Sequence, residues 1–164
     1  MTLLLERMLD YCSTLQGDGV SIAFSGGVDS LFLTLCARTF VPVQCIVVGT
    51  PGSFDVQQAR FFKTTYDFPL DVVELEKNSY LRALKVVGPY LDAPDPMRAN
   101  LGVVMYLVFE SAKRGTVLVG HGADEYFGGY KKYQNNPHLE RERANDLLHL
   151  QSDMERYIRL GRLK

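Results

Sequence analysis

The hexapeptide Ser25-Gly26-Gly27-Val28-Asp29-Ser30 constrains this chain more than any other stretch. Val20 to Phe24, before it, read as a short buried strand, and the mostly apolar run from Asp29 to about Thr39 reads as a buried helix. A strand that passes through two adjacent glycines into a helix leaves backbone N–H groups converging where the helix dipole favours negative charge. Phosphate oxygens bind well in such a place. Ser25 and Ser30 add hydroxyl donors, and Asp29 adds a carboxylate able to hold Mg²⁺ against phosphates. This is not a Walker loop, because no Gly-Lys-Ser/Thr follows and no lysine reaches back to a terminal phosphate. The plain alternative is an ordinary strand-to-helix turn with a serine cap.

The 164 residues suit one domain, 1–164, long enough to bury a core. A hydrophobic fraction of 46% and a charged fraction of 23% match globular proteins, so neither disorder nor a membrane class is indicated. A formal net charge of -1 offers no footprint for nucleic acid. Met1-Thr2-Leu3-Leu4-Leu5 is interrupted by Glu6, Arg7 and Asp10 with no cleavage site, and no stretch is apolar enough to span a bilayer. A cytoplasmic protein is expected. Cys12, Cys36 and Cys45 are odd in number and far apart, which predicts buried free thiols rather than disulfides or a zinc site.

Further along, Leu5, Met8, Leu9, Cys12 and Leu15 recur at helical spacing, predicting a helix near 3–16. Val43 to Val48 reads as a second strand, stopped by Gly49-Thr50-Pro51-Gly52. Asp55 and Gln58 look like a capping pair for a helix reaching Tyr66. Leu70 to Leu75 is a third strand, followed by a helix near 78–87. Pro94 and Pro96 predict an extended connection, and Met97 to Lys113 a helix with Leu101, Val104 and Val108 on one face. Thr116 to Val119 is a fourth strand that runs into Gly120-His121-Gly122-Ala123-Asp124-Glu125-Tyr126-Phe127-Gly128-Gly129-Tyr130. From His138 onward a charged helix carries Leu147, Leu150, Met154 and Tyr157 as a docking stripe. Strands separated by helices predict an α/β fold, a single three-layer domain with a mainly parallel sheet whose ligand loops leave the carboxyl ends of the strands.

Two motifs together carry a resemblance. Ser25 to Ser30 looks like the pyrophosphate loop of the ATP pyrophosphatase superfamily, and Gly120 to Tyr130 resembles the second signature of the asparagine synthetase family. Val47 to Ser53 followed by Asp55 is similar to that family's nucleotide-binding segment. The resemblance implies an adenine nucleotide alpha hydrolase-like fold and an ATP-dependent, AMP-forming amide ligase. A carboxylate, of aspartate or a related small acid, would attack the α-phosphorus of ATP, and ammonia or an amine would then displace AMP. It implies that Asp29 and Asp124 hold Mg²⁺ from separate loops, and that Ala23, Ser25, Gly26, Gly27, Ser30, Val48, Gly49 and Gly120 contact the nucleotide. His121 and Glu125 fall on the catalytic part of the signature.

The departures matter as much. The family's N-terminal glutaminase domain is not in this sequence, so ammonia is expected from solution or from a separate glutaminase. The downstream lysines of the family are not here either, and Arg156, Arg159, Arg162 and Lys164 are expected to be a solvated helix end. His121 replaces a glutamate of the signature, either as a base toward the incoming amine or as a filler beside Gly120 and Gly122. A non-catalytic or partner-dependent nucleotide-binding subunit is the alternative function. Arg98 either pairs with a substrate carboxylate or is solvated. Lys131 and Lys132 are expected to face water, and Tyr126, Phe127 and Tyr130 to pack. Whether the chain forms a homo-oligomer is left open by the sequence.

Overall fold

The computed structural model describes residues 2–91 and 95–162; Met1, Pro94 and Lys164 lie outside them. Strands β1 (Val20–Ala23), β2 (Val43–Gly49), β3 (Leu70–Glu74) and β4 (Thr116–Val119) pair in parallel, in the order β3-β2-β1-β4. The helices are α1 (Thr2–Ser13), α2 (Val28–Ala37), α3 (Phe54–Tyr66), α4 (Lys77–Val87), α5 (Pro96–Ser111), α6 (Ala123–Phe127) and α7 (Leu139–Gly161), with 3-10 turns at Gly88–Tyr90 and Lys131–Tyr133. The expected α/β architecture is met.

The pleat sends alternate residues of β2 to opposite faces, which builds two cores. Cys45 and Val47 join Val20, Ile22 and Phe24 against Cys12, Leu33, Val56 and Ala59 of the first three helices. Ile46 and Val48 meet Val87 of α4, Val103 and Leu107 of α5, and Tyr157 and Leu160 of α7. At the amino end of the sheet, Gln44 is buried on the second face and fully bonded. Its Oε1 accepts from Ser21 Oγ (2.6 Å) and Lys113 N (2.8 Å), and its Nε2 donates to Asp71 Oδ2 (2.7 Å) and Ser111 O (3.1 Å). This network ties three strands to the α5–β4 connection.

Several local expectations need correction. Asp55 and Gln58 do not cap α3: the helix starts at Phe54 after Ser53, so Asp55 already lies inside it, and Gln57 Nε2 instead donates to Gly52 O at 2.7 Å. Pro96 opens α5 rather than preceding it. Proline suits a first helical position because its missing N–H would have no intrahelical partner, and Asp95 accepts from the N–H groups of Met97 and Arg98. The buried surface of α5 is broader than one stripe, since α5 sits between the sheet, α4 and α7; Gly102, Val103, Met105, Leu107 and Val108 are all buried. Leu5 is exposed, while Cys12 anchors α1. Cys12, Cys36 and Cys45 are free and buried, as expected. Among the described residues, no helix is long and apolar enough to cross a membrane.

The strand order places the site. The chain moves from β1 outward through β2 to β3, then returns to the far side of β1 with β4. The reversal lies between β1 and β4, and ligands of open α/β sheets bind beyond the carboxyl ends at such a point. Ala23 pairs with Val119, so the loops that follow β1 and β4 leave the sheet side by side.

Candidate functional site

After β1 the chain turns at Gly26, whose φ of +76° favours glycine. A Cβ there would lie 2.9 Å from both Asp55 O and Gln58 Cβ, so the loop is pressed against the first turns of α3. Gly27 precedes α2 with no side-chain cap, which leaves the first N–H groups of that helix for a ligand. Ser25 Oγ accepts from Gly27 N at 3.3 Å, so a serine does bond the turn, but at the residue ahead of the helix and not at its first N–H groups. Ser25 and Ser30 turn toward each other: their hydroxyls are 3.3 Å apart, and Ser30 Oγ donates to Gly27 O at 3.0 Å. Ser30 is buried and shapes the loop, while Ser25 stays exposed.

Gly120, after β4, lies against the start of α2. A Cβ on it would sit 3.4 Å from Ser30 N and 3.5 Å from Asp29 Cβ. This contact brings Asp124, in the first turn of α6, toward Asp29 in the first turn of α2. Burial, and then the negative charge of Asp124, push the Asp29 carboxyl above the usual aspartate range. Among the described residues neither carboxylate has a cationic side chain within salt-bridge distance. No cluster of three or more potential metal-ligating side chains occurs among the described residues. Two carboxylates close enough for the charge of one to act on the other, with neither paired to a cation, fit a divalent ion that takes its remaining ligands from phosphates and water.

Other predicted residues are placed with different clarity. Ala23 and Val48 end their strands with side chains packed into the second core, so only their main chain reaches the loop edge. Gly49 is crowded for a reason of its own, because a Cβ would lie 2.6 Å from Ser53 Oγ. His121 is exposed, and its ring leans on Tyr157 at 5.7 Å. Partial desolvation against α7 lowers its pKa, while Glu125 and Asp153 act in the opposite sense. Glu125 is buried, and its Oε1 accepts from Tyr130 Oη at 2.9 Å.

Two sizeable grooves flank α7 rather than the loop edge. One, of about 510 Å³, runs between α5, β4 and α7, and the other, of about 580 Å³, lies between Tyr126 and the stretch from Ala144 to Met154.

The asparagine synthase family model matches residues 13–164. The chain belongs to the asparagine synthase family. The provisionally named glutamine-hydrolyzing asparagine synthetase 1 of Methanocaldococcus jannaschii is 31% identical over 134 residues, covering 80% of this chain and 24% of that protein. Asparagine synthetase 1 (glutamine-hydrolyzing) of Bacillus subtilis is 30% identical, covering 67% of this chain and 18% of that one. This chain thus spans about a quarter or less of these two relatives. Among solved structures, the NH3-dependent NAD synthetase of Campylobacter jejuni aligns with a TM-score of 0.49 at 19% identity, over 79% of this chain and 60% of that one.

Against the family signature, the structure revises several side chains. Tyr126 and Phe127 are largely exposed rather than packed, because α6 is too short to bury its outer face. Lys131 and Lys132 are exposed, as expected, and Lys132 Nζ also pairs with Asp146 at 2.6 Å and lies over the rings of Tyr130 and Tyr133. Arg98 is partly exposed, and its guanidinium lies 3.5 Å from Asp95, 4.0 Å from Asp153 and 3.3 Å from His149 Nδ1. Arg156 is not part of a solvated end, because it is held by Asp153 at 2.8 Å and Ser152 at 3.0 Å. Sequence reasoning overlooked Gly129, where a Cβ would fall 1.9 Å from Asp124 Oδ1, and Ser53, whose buried hydroxyl lacks a hydrogen-bond partner among the described residues. The paired glycines Gly128-Gly129 within the signature were a signal for the first. The second had none, because a serine ahead of a helix ordinarily reads as a cap.

Proposed function

We propose that this chain is the ATP-binding, AMP-forming part of an amide ligase. The observation that carries the reading is the N-terminus of α2, left without a side-chain cap behind the Gly26-Gly27 turn, with the loops after β1 and β4 leaving the sheet side by side. The N–H groups of Val28, Asp29 and Ser30, with the exposed Ser25 hydroxyl, receive the phosphates of ATP, and the main chain at Ala23, Val48, Gly49 and Gly120 borders the adenosine. Gly26 and Gly27 let the phosphates approach the backbone. Asp29 and Asp124 hold Mg²⁺, which when bound neutralises charge on the departing pyrophosphate.

The acid substrate presents a carboxylate oxygen to the α-phosphorus, and the bond to the bridging oxygen breaks as pyrophosphate leaves. Ammonia or an amine then attacks the acyl carbon, and AMP departs. His121 takes the proton of the attacking nitrogen; Glu125, withdrawn from solvent, acts through Tyr130. Aspartate or a related small acid is the substrate, with ammonia from solution or from a glutaminase. The names of the glutamine-hydrolyzing relatives support the second source.

Incubation with ATP, Mg²⁺, ammonium and a panel of amino acids is expected to release AMP and pyrophosphate in equal amounts. Release with none of the acids would end the ligase reading for this chain.

A further inference from the structure

Helix α6, which carries Asp124, has five residues and starts at Gly122 without a side-chain cap. A helix this short does not hold itself, because nucleation is not repaid by so few hydrogen bonds and its last carbonyls lack intrahelical partners. Here the partners come from elsewhere. Asp124 O accepts from Gly128 N (2.9 Å) and Gly129 N (3.0 Å). The next two carbonyls, of Glu125 and Tyr126, accept from Arg143 Nε (2.9 Å) and Nη2 (2.6 Å). One guanidinium fork thus closes the carboxyl end of α6, where a positive charge also suits the helix dipole.

Arg143 belongs to the second turn of α7, and α7 grips the same segment twice more. Asp146 accepts from Tyr133 Oη (2.5 Å) and Lys132 Nζ (2.6 Å), and Leu150 crowds Gly122, where a Cβ would meet its Cδ2 at 3.1 Å. The far end of α7 is rooted in the second core through Tyr157 and Leu160. A slip of α6 by one residue would rotate Asp124 by about 100° away from its place against Gly129.

We propose that Arg143 is a positioning residue: by bonding the Glu125 and Tyr126 carbonyls it holds α6 in the register that keeps the Asp124 carboxylate against Gly129, on the loop that follows β4 beside Asp29. The metal part of this inference rests on the reading of Asp124 as a metal-holding carboxylate. Lysine cannot replace the fork, since an ammonium lacks two donors at fixed spacing.

The test uses the whole chain. In Arg143→Ala, hydrogen exchange at the Tyr126, Gly128 and Gly129 amides is expected to quicken about tenfold while α2 amides keep their rates. Affinity for Mn²⁺ in the presence of a non-hydrolysable ATP analogue is expected to fall about tenfold, with Arg143→Lys recovering only part. Unchanged exchange overturns the proposal, and so does quickened exchange with undiminished Mn²⁺ affinity. Should the alanine variant not fold, Arg143→Gln and Arg143→Lys carry the same readouts. Asp124→Asn separates the two readings. Loss of Mn²⁺ affinity with normal α6 exchange supports both, whereas retained affinity overturns the metal reading while the exchange rates still judge the Arg143 contact.

Discussion

Asp29 and Asp124 lie in the first turns of different helices nearly a hundred residues apart in sequence, yet the charge of Asp124 adds to desolvation in raising the pKa of Asp29. A folded-state value above the unfolded one means that the folded protein holds its proton longer. In metal-free protein, the contribution of Asp29 to stability is therefore fully present below the ordinary aspartate pKa and is lost as pH rises through the raised value. Asp29→Asn is expected to flatten that decline, measured as melting temperature against pH without metal. The same variant should abolish Mg²⁺-dependent ATP binding; calorimetry showing undiminished affinity would remove Asp29 from the metal site.

Metal binding needs the ionised carboxylate, so affinity should fall as pH drops, with a midpoint above the usual aspartate range. A Mg²⁺ titration of ATP binding between pH 4 and pH 7 checks this. An affinity constant down to the ordinary aspartate pKa would contradict the coupling to Asp124.

Gly26 combines a φ of +76° with a missing Cβ that would press on Asp55 O at 2.9 Å. Gly26→Ala is expected to cost about 1–3 kcal/mol in urea unfolding and to weaken ATP binding, because the loop must lift away from α3.

At Gly129 the neighbour is the Asp124 carboxylate itself, a flexible group that can swing aside. Gly129→Ala should therefore leave stability within about 1 kcal/mol of wild type. Mg²⁺ affinity should fall about tenfold nonetheless, as expected when a misplaced ligand loses one charge-assisted contact. Loss of stability without loss of metal affinity would point to ordinary crowding.

Gln44 predicts a cost remote from the site. Gln44→Leu leaves the Ser21 hydroxyl without its acceptor and Lys113 N without its partner, while Asp71 keeps Lys113 Nζ, and about 2–4 kcal/mol of destabilisation is expected from chemical unfolding. Ser21→Ala, which removes one partner, should cost about 1 kcal/mol.

The strands and principal helices were legible from the sequence because their apolar residues repeat at the local period of each element. Val20 to Ala23 and Val43 to Gly49 could hardly be anything but buried strands. The Gly26-Gly27 turn was legible for a similar reason: its conformational demand is local, and a helix must follow. Tertiary contact decided the rest. Asp55 reads as a cap only until the true helix start is known, and Tyr126 reads as core only until α6 proves to be a single short helix on the surface. That Gln44 is satisfied, that Arg98 meets His149, and that Arg143 completes α6 all depend on partners 18 to 69 residues away in the chain. Local propensity determined which segments fold. The parallel order β3-β2-β1-β4, by returning β4 to the far side of β1, decided that the loops carrying Asp29 and Asp124 leave the sheet side by side.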